Sequence, residues 1–241
     1  MQNVYLITGA SSDVGTALIK RLQKPGDLFL AQGSGDLSAL QALASQGCEL
    51  KMMDADLSRI ENIQAFVRQL QDLPCPTHFI HLPALRVVNA KYKNFDFDRY
   101  LLDMNVQLQS AVLITKEILP RMAKAMFGRV LFMLTSYLIS VPPKNVASYM
   151  MVKSALGGLA RSLAIDYAKD GVTVNCVLPS MMETKFLRDT SDLIVEASAK
   201  ANPMGRNATV EDVVPAMAFL LSEEARFITG VELPVTGGSA F

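Results

Sequence analysis

Short apolar runs alternate with longer amphipathic stretches along most of the 241 residues. The runs at 4–7, 28–31, 49–53, 79–82, 130–134, 172–177 and 231–235 are of strand length, and several are apolar at consecutive positions, as strands covered on both faces require. Between them, apolar residues recur at helical spacing over 13–23, 62–70, 100–126, 149–168 and 210–221. A strand–helix repeat of this kind predicts right-handed crossovers and an α/β fold, a doubly wound parallel sheet with helices on both faces. The stretch 181–207 breaks the alternation and is long for a connection, which predicts a variable substrate loop or lid.

Composition narrows the picture. Half of the residues are hydrophobic, enough for a large core, and the length fits a single domain over 1–241. Lys plus Arg and Asp plus Glu both number 23, so no net basic field recruits nucleic acid or an anionic membrane. Cys48, Cys75 and Cys176 are odd in number and far apart, with only His78 and His81 as imidazoles, so neither a disulfide framework nor a metal site is expected. The amino terminus leads into a strand-like run without a basic or long apolar leader, and no stretch of about 18 apolar residues follows. A soluble, cytoplasmic protein is expected.

Two motifs carry chemistry. The first run ends in Thr8-Gly9-Ala10-Ser11-Ser12-Asp13-Val14-Gly15 and a helix opens there. Glycine lets a backbone turn sharply and approach a pyrophosphate, whose charge is stabilised by free amides at the positive helix end. Later, Tyr149 and Lys153 stand four apart and share one face of a helix. A lysine cation beside a phenol favours the phenolate and pulls its pKa toward the range of acid–base catalysis. The alternatives are a structural turn and an ordinary solvated helix.

Thr8-Gly9 with Gly15, Asn105, Ser136, Tyr149 and Lys153 together resemble the short-chain dehydrogenase/reductases over essentially the whole chain, and among them the bacterial 3-oxoacyl-acyl-carrier-protein reductases. Val174-Asn175-Cys176-Val177-Leu178-Pro179 and the terminal Gly237-Gly238 fit the same pattern. The resemblance implies a Rossmann-like fold, a nicotinamide cofactor and interconversion of a carbonyl and a secondary alcohol. Tyr149 would be the proton donor, Ser136 the hydroxyl that polarises the carbonyl, Lys153 the group that tunes the tyrosine and orients the nicotinamide ribose, and Asn105 the support of a proton relay. Thr135 is an adjacent hydroxyl, and the run from Gly128 to Ser136 is one residue longer than usual, which leaves a register shift between the two open.

The resemblance also places cofactor contacts at Gly9, Ser11, Ser12, Asp13, Val14, Gly15, Gly33, Asp56, Leu57, Leu82, Pro179, Met182 and Thr184, besides Tyr149 and Lys153. Asp13 stands where the family has a second glycine, either capping the helix or repelling a phosphate. Gln32, at the position that selects the cofactor, is neutral, which favours NADP over NAD without an arginine to bind the extra phosphate. His81-Leu82-Pro83-Ala84 replaces the family's Asn-Asn-Ala-Gly, and His81 is expected to be a structural hydrogen-bonding residue. Phe186, Leu187, Leu193, Ile194 and Val195 suggest an apolar lid, which suits an acyl chain or a hydrophobic ketone, and the resemblance points to a 3-oxoacyl thioester. A sugar, polyketide or other alcohol, or a cofactor-binding homologue with little turnover, are the alternatives. Asp170 replaces an arginine that carrier-protein reductases use for docking, while Arg121, Lys124 and Arg129 remain nearby in sequence. Apolar residues on several faces of the helices at 100–126 and 149–168, and the resemblance, imply a homotetramer or homodimer.

Overall fold

The computed structural model describes residues 2–241, and Met1 lies outside them. Seven strands, β1 (Val4–Thr8), β2 (Leu28–Gly33), β3 (Leu50–Asp54), β4 (His78–His81), β5 (Gly128–Met133), β6 (Val172–Pro179) and β7 (Glu232–Val235), form one sheet in the order β3-β2-β1-β4-β5-β6-β7. Every neighbouring pair is parallel. All seven expected strands are present, shifted by one or two residues at most of their ends.

Alternation along the strands splits the core into two layers. Val4 and Leu6 of β1 and Val130, Phe132 and Leu134 around β5 pack beneath α3 (Ile60–Gln71), α5 (Ser110–Lys124) and α6 (Ala147–Tyr167). Tyr5, Ile7, Leu131 and Met133 face the other way, toward α1 (Asp13–Leu22), α2 (Ser38–Ser45) and α8 (Val210–Leu221). The sheet is therefore covered by helices on both faces, and its strands are apolar at consecutive positions for that reason.

Strand order reverses between β1 and β4, because the chain runs outward through β2 and β3 before returning. The carboxyl ends of β1 and β4 lie side by side there, at the switch point where open α/β sheets usually seat a ligand. One predicted helix, at 100–126, is interrupted: α4 (Phe97–Asp103) passes into a π-helical turn, Met104–Gln109, before α5. In that turn the Ser110 N–H bonds the Asn105 carbonyl, five residues back. Two helices went unread in the sequence, α2 and α7 (Asp192–Ala201), the second inside the stretch expected to be a loop. No helix among the described residues is long and apolar enough to cross a membrane.

Candidate active site

The glycine turn after β1 is built for close approach. Gly9 has φ +69°, and a Cβ there would sit 3.0 Å from the Pro83 nitrogen, so this turn and the one after β4 close directly on each other. A side chain at Gly15 would strike the Ala10 carbonyl oxygen at 2.5 Å. Ser12 caps α1: its hydroxyl accepts from the Gly15 N–H at 3.1 Å and donates to the Gly9 carbonyl at 2.7 Å. Val14 and Gly15 are buried in the first turn.

Asp13 is therefore not the cap. Its carboxylate accepts from the Lys185 backbone N–H at 2.7 Å and lies 3.7 Å from the Lys185 ammonium, clasping the segment after β6 onto the start of α1.

Gln32 also departs from expectation. Its side chain is buried, accepting from the Gly9 N–H at 2.9 Å and donating to the Ala55 carbonyl at 2.7 Å, so it braces β1 against the loop after β3. The residue at the mouth is Gly33, where a side chain would meet Leu37 and the Ser11 hydroxyl. A hollow of about 400 Å³ opens beside it, lined by Ser34, Asp54, Asp56 and Asn62. Asp56 accepts from the Ser58 N–H and hydroxyl, a local turn, while Leu57 is buried.

His81 is a brace. One ring nitrogen, carrying the proton, donates to the Gln107 carbonyl at 2.8 Å, and Nδ1 faces the Thr8 hydroxyl at 2.8 Å. Complete burial holds its pKa down at about 3, so it stays neutral. Leu82 extends the ladder by donating its N–H to the Thr8 carbonyl. His81 thus ties the end of β4 to the π turn, whose altered hydrogen bonding leaves a carbonyl to be met.

Asn105, in the same turn, donates from its amide to the Ser58 carbonyl at 2.7 Å. It joins the helix to the loop carrying Asp56 and Leu57.

Tyr149 and Lys153 lie on α6 as the spacing predicts, with the ammonium 5.8 Å from the ring centroid. Lys153 is buried and donates to the Met133 carbonyl at the end of β5, at 2.8 Å. Burial lowers it to about 8, opposed by the nearby Asp103 carboxylate. Tyr149 keeps part of its surface accessible, yet its phenolic end is enclosed, and burial pushes its pKa up to about 12. Lys153 is not among the groups that lower it: a buried phenol resists ionisation, and the lysine is engaged with the Met133 carbonyl.

The hydroxyl beside that phenol belongs to Thr135, which favours the ionised form of Tyr149. Ser136, the expected partner, opens a 3-10 turn, Ser136–Leu138, and its carbonyl accepts from the Ser140 hydroxyl at 3.0 Å. A second residue the sequence reading passed over is Asp103, a buried carboxyl raised by burial and close enough to bias both Tyr149 and Lys153. The available signal was an acid inside an otherwise apolar helical stretch, two residues before Asn105.

Beyond β6, Pro179 ends the strand, Met182 bridges to Ala208, and Thr184 precedes a short turn, Lys185–Leu187. The Ser180 hydroxyl is buried without a partner among the described residues. A second hollow, about 480 Å³, lies between Asp13, Thr184, Leu187, Arg188 and Val195. Leu193 and Ile194, expected in an apolar lid, face solvent from α7. An ion pair between Arg86 and Asp189 ties this segment to the loop after β4.

The two hollows flank the glycine turn, and the turn leaves no room for side chains at Gly9 and Gly15. A dinucleotide fits that arrangement: its adenosine end would be held by Gly33, Asp56 and Leu57, its pyrophosphate by the amides of residues 9–15, and its nicotinamide end by Leu82, Tyr149, Lys153, Pro179, Met182 and Thr184. No group of three metal-ligating side chains exists among the described residues.

A family model described as enoyl-(acyl carrier protein) reductase matches residues 9–240. The chain is 30% identical to the 3-oxoacyl-[acyl-carrier-protein] reductase of Rickettsia bellii, covering 97% of this chain and 95% of that one. It is 27% identical to the acetoacetyl-CoA reductase of Allochromatium vinosum, over 99% and 98%. The crystal structure of a 3-oxoacyl-(acyl-carrier-protein) reductase from Agrobacterium tumefaciens with NADP bound superposes with a TM-score of 0.87 at 25% identity, over 98% of this chain and 93% of that one.

Proposed function

This chain is a member of the short-chain dehydrogenase/reductase family, and from that premise we propose that it reduces a short 3-oxoacyl thioester to the 3-hydroxyacyl thioester with NADPH. The family's activity, NAD(P)-dependent interconversion of a carbonyl and a secondary alcohol, is its general function. The observation that carries the reading is the Tyr149–Lys153 pair, its lysine buried and its phenolic end enclosed, together with a glycine turn closed to side chains at Gly9 and Gly15.

The reduced nicotinamide, when bound, supplies the hydride. Tyr149, which keeps its proton until about pH 12, protonates the carbonyl oxygen as that oxygen takes up the electron pair. An alkoxide is a far stronger base than a phenolate, so a phenol that holds its proton at neutral pH still gives it up in this step. Lys153, cationic below about pH 8, stabilises the phenolate left behind. Asn105 fixes the π turn against the loop at Ser58. A hydroxyl at the end of β5 donates a hydrogen bond that stabilises the charge developing on the carbonyl oxygen.

NADPH is preferred because Gly33 places no carboxylate against the 2′-phosphate. Asp54 and Asp56, which line the adjoining hollow, temper that preference. Among thioesters, coenzyme A is favoured over an acidic carrier protein. Two of the three cations expected to dock a carrier serve the fold, at the end of the strands opposite the site: Arg129, at the start of β5, is buried against Glu223 and the Gly171 carbonyl, and Arg121 donates to the Leu70 and Leu73 carbonyls. Ile165, Phe219 and Phe227 are exposed, and a second copy of the chain is proposed to cover them, giving a homodimer or homotetramer.

Mixing the protein with acetoacetyl-CoA and NADPH tests the reading: nucleotide oxidation and a 3-hydroxyacyl product are expected. The clasp of Asp13 on Lys185, inside the cradle, favours one alternative, a homologue that binds cofactor weakly and turns over little. Failure of both NADPH and NADH to bind below millimolar concentration would decide for that alternative.

A further inference from the structure

We infer that Thr135, and not Ser136, is the hydroxyl that polarises the substrate carbonyl, an assignment that rests on the proposed carbonyl reduction.

Counting thirteen residues back from Tyr149 runs through the loop between β5 and α6 and arrives at Ser136. Counting forward along the strand gives a different answer. Gly128 to Met133 pair residue for residue with Val172 to Val177, and the Leu134 N–H continues the ladder to the Val177 carbonyl at 2.9 Å. No extra residue is accommodated in the strand. It falls instead between Thr135 and Tyr149, a segment in which Asn145 adopts φ 69°. Seven residues beyond Gly128, the register of the sheet delivers Thr135.

Local geometry agrees. Thr135 is extended, with φ −156° and ψ 145°, so its side chain and that of Ser136 project in opposite directions. The Thr135 side chain lies against the Tyr149 phenol, and the Ser136 residue turns into the 3-10 segment. The Thr135 oxygen accepts from the Tyr137 N–H at 3.4 Å, which leaves its own O–H available as a donor. Its backbone is fixed by Lys153, which grips the Met133 carbonyl two residues earlier. A β-branched residue has few χ1 states, so the hydroxyl is held in place, and its methyl group narrows the pocket relative to a serine.

The catalytic arrangement is thus Thr135, Tyr149 and Lys153, with the Thr135 hydroxyl beside the Tyr149 phenol. Three variants test it with acetoacetyl-CoA and NADPH. Thr135→Ala is expected to lower kcat by about a hundredfold or more, as loss of an oxyanion donor does, with NADPH affinity unchanged. Thr135→Ser is expected to restore most of the rate, and Ser136→Ala to leave it within about threefold of the parent. A large loss in Ser136→Ala with activity retained in Thr135→Ala would overturn the assignment. A readout independent of turnover is 3-fluorotyrosine placed at position 149. Its 19F resonance is expected to shift with Thr135→Ala and not with Ser136→Ala, and the reverse would equally overturn the assignment. If the parent protein fails to turn over the thioester, the proposed substrate fails, while the 19F comparison still decides between the two hydroxyls.

Discussion

The carboxylate of Asp13 accepts the Lys185 backbone N–H at 2.7 Å, joining the first turn of α1 to the segment after β6. An acid at a helix start usually satisfies its own helix, but Ser12 already holds that position. Asp13 is left to reach across to the segment after β6, where it draws a cation and an amide toward itself and adds negative charge where the pyrophosphate is proposed to sit.

Replacing it should help the cofactor. Asp13→Gly is expected to tighten NADPH binding by about tenfold or less, on the order of 1 kcal/mol, because a partly exposed charge is only weakly felt. Fluorescence titration of both forms measures this. Weaker binding in the variant would mean that the clasp assists the site by ordering residues 183–190.

The two histidines make stability depend on pH. An unfolded histidine takes up a proton near pH 6.5, whereas buried His81 and His78 resist until about 3 and about 4. Between those values the unfolded chain binds more protons, so stability is full above pH 6.5 and is lost as pH falls. Each histidine contributes about 1.4 kcal/mol per unit within that window. Urea unfolding at pH 7.5 and pH 5 should show the loss, and His81→Asn should reduce it by about half, since His78 remains. An unchanged loss in the variant would show that His81 is not held neutral.

Much of the fold was legible because burial on both faces leaves consecutive apolar positions, which no exposed strand tolerates. The helix α7 was not, since nothing it carries is buried, and α2 buries only Leu40 and Leu43. At the site, Tyr149 and Lys153 could be paired by helical spacing alone. Thr135 could not be chosen over Ser136, because that choice depends on which element accommodates one extra residue, a property of the β5–β6 register. Gln32, read in the sequence as the cofactor-selecting residue, and Arg129, read as a docking cation, are both buried: Gln32 bonds the Gly9 N–H and the Ala55 carbonyl, and Arg129 the Gly128 and Gly171 carbonyls and the Glu223 carboxylate.

In the proposed mechanism Lys153 sets the upper pH limit of the reduction. Burial brings it to about 8, and only its charged form stabilises the phenolate. The free enzyme's kcat/KM is therefore expected to fall as pH rises through about 8. Lys153→Arg, always charged, should lose rate through altered shape but also lose that inflection. A profile flat to pH 10 would show that the lysine charge is not used.

The central claim is that Tyr149 delivers the proton to a carbonyl bound beside NADPH. The most direct test measures NADPH affinity and acetoacetyl-CoA turnover for the parent protein and for Tyr149→Phe. The account predicts equal binding in both and a loss of turnover of at least about a hundredfold in the variant, in keeping with removal of a general acid. Turnover retained by Tyr149→Phe would contradict it.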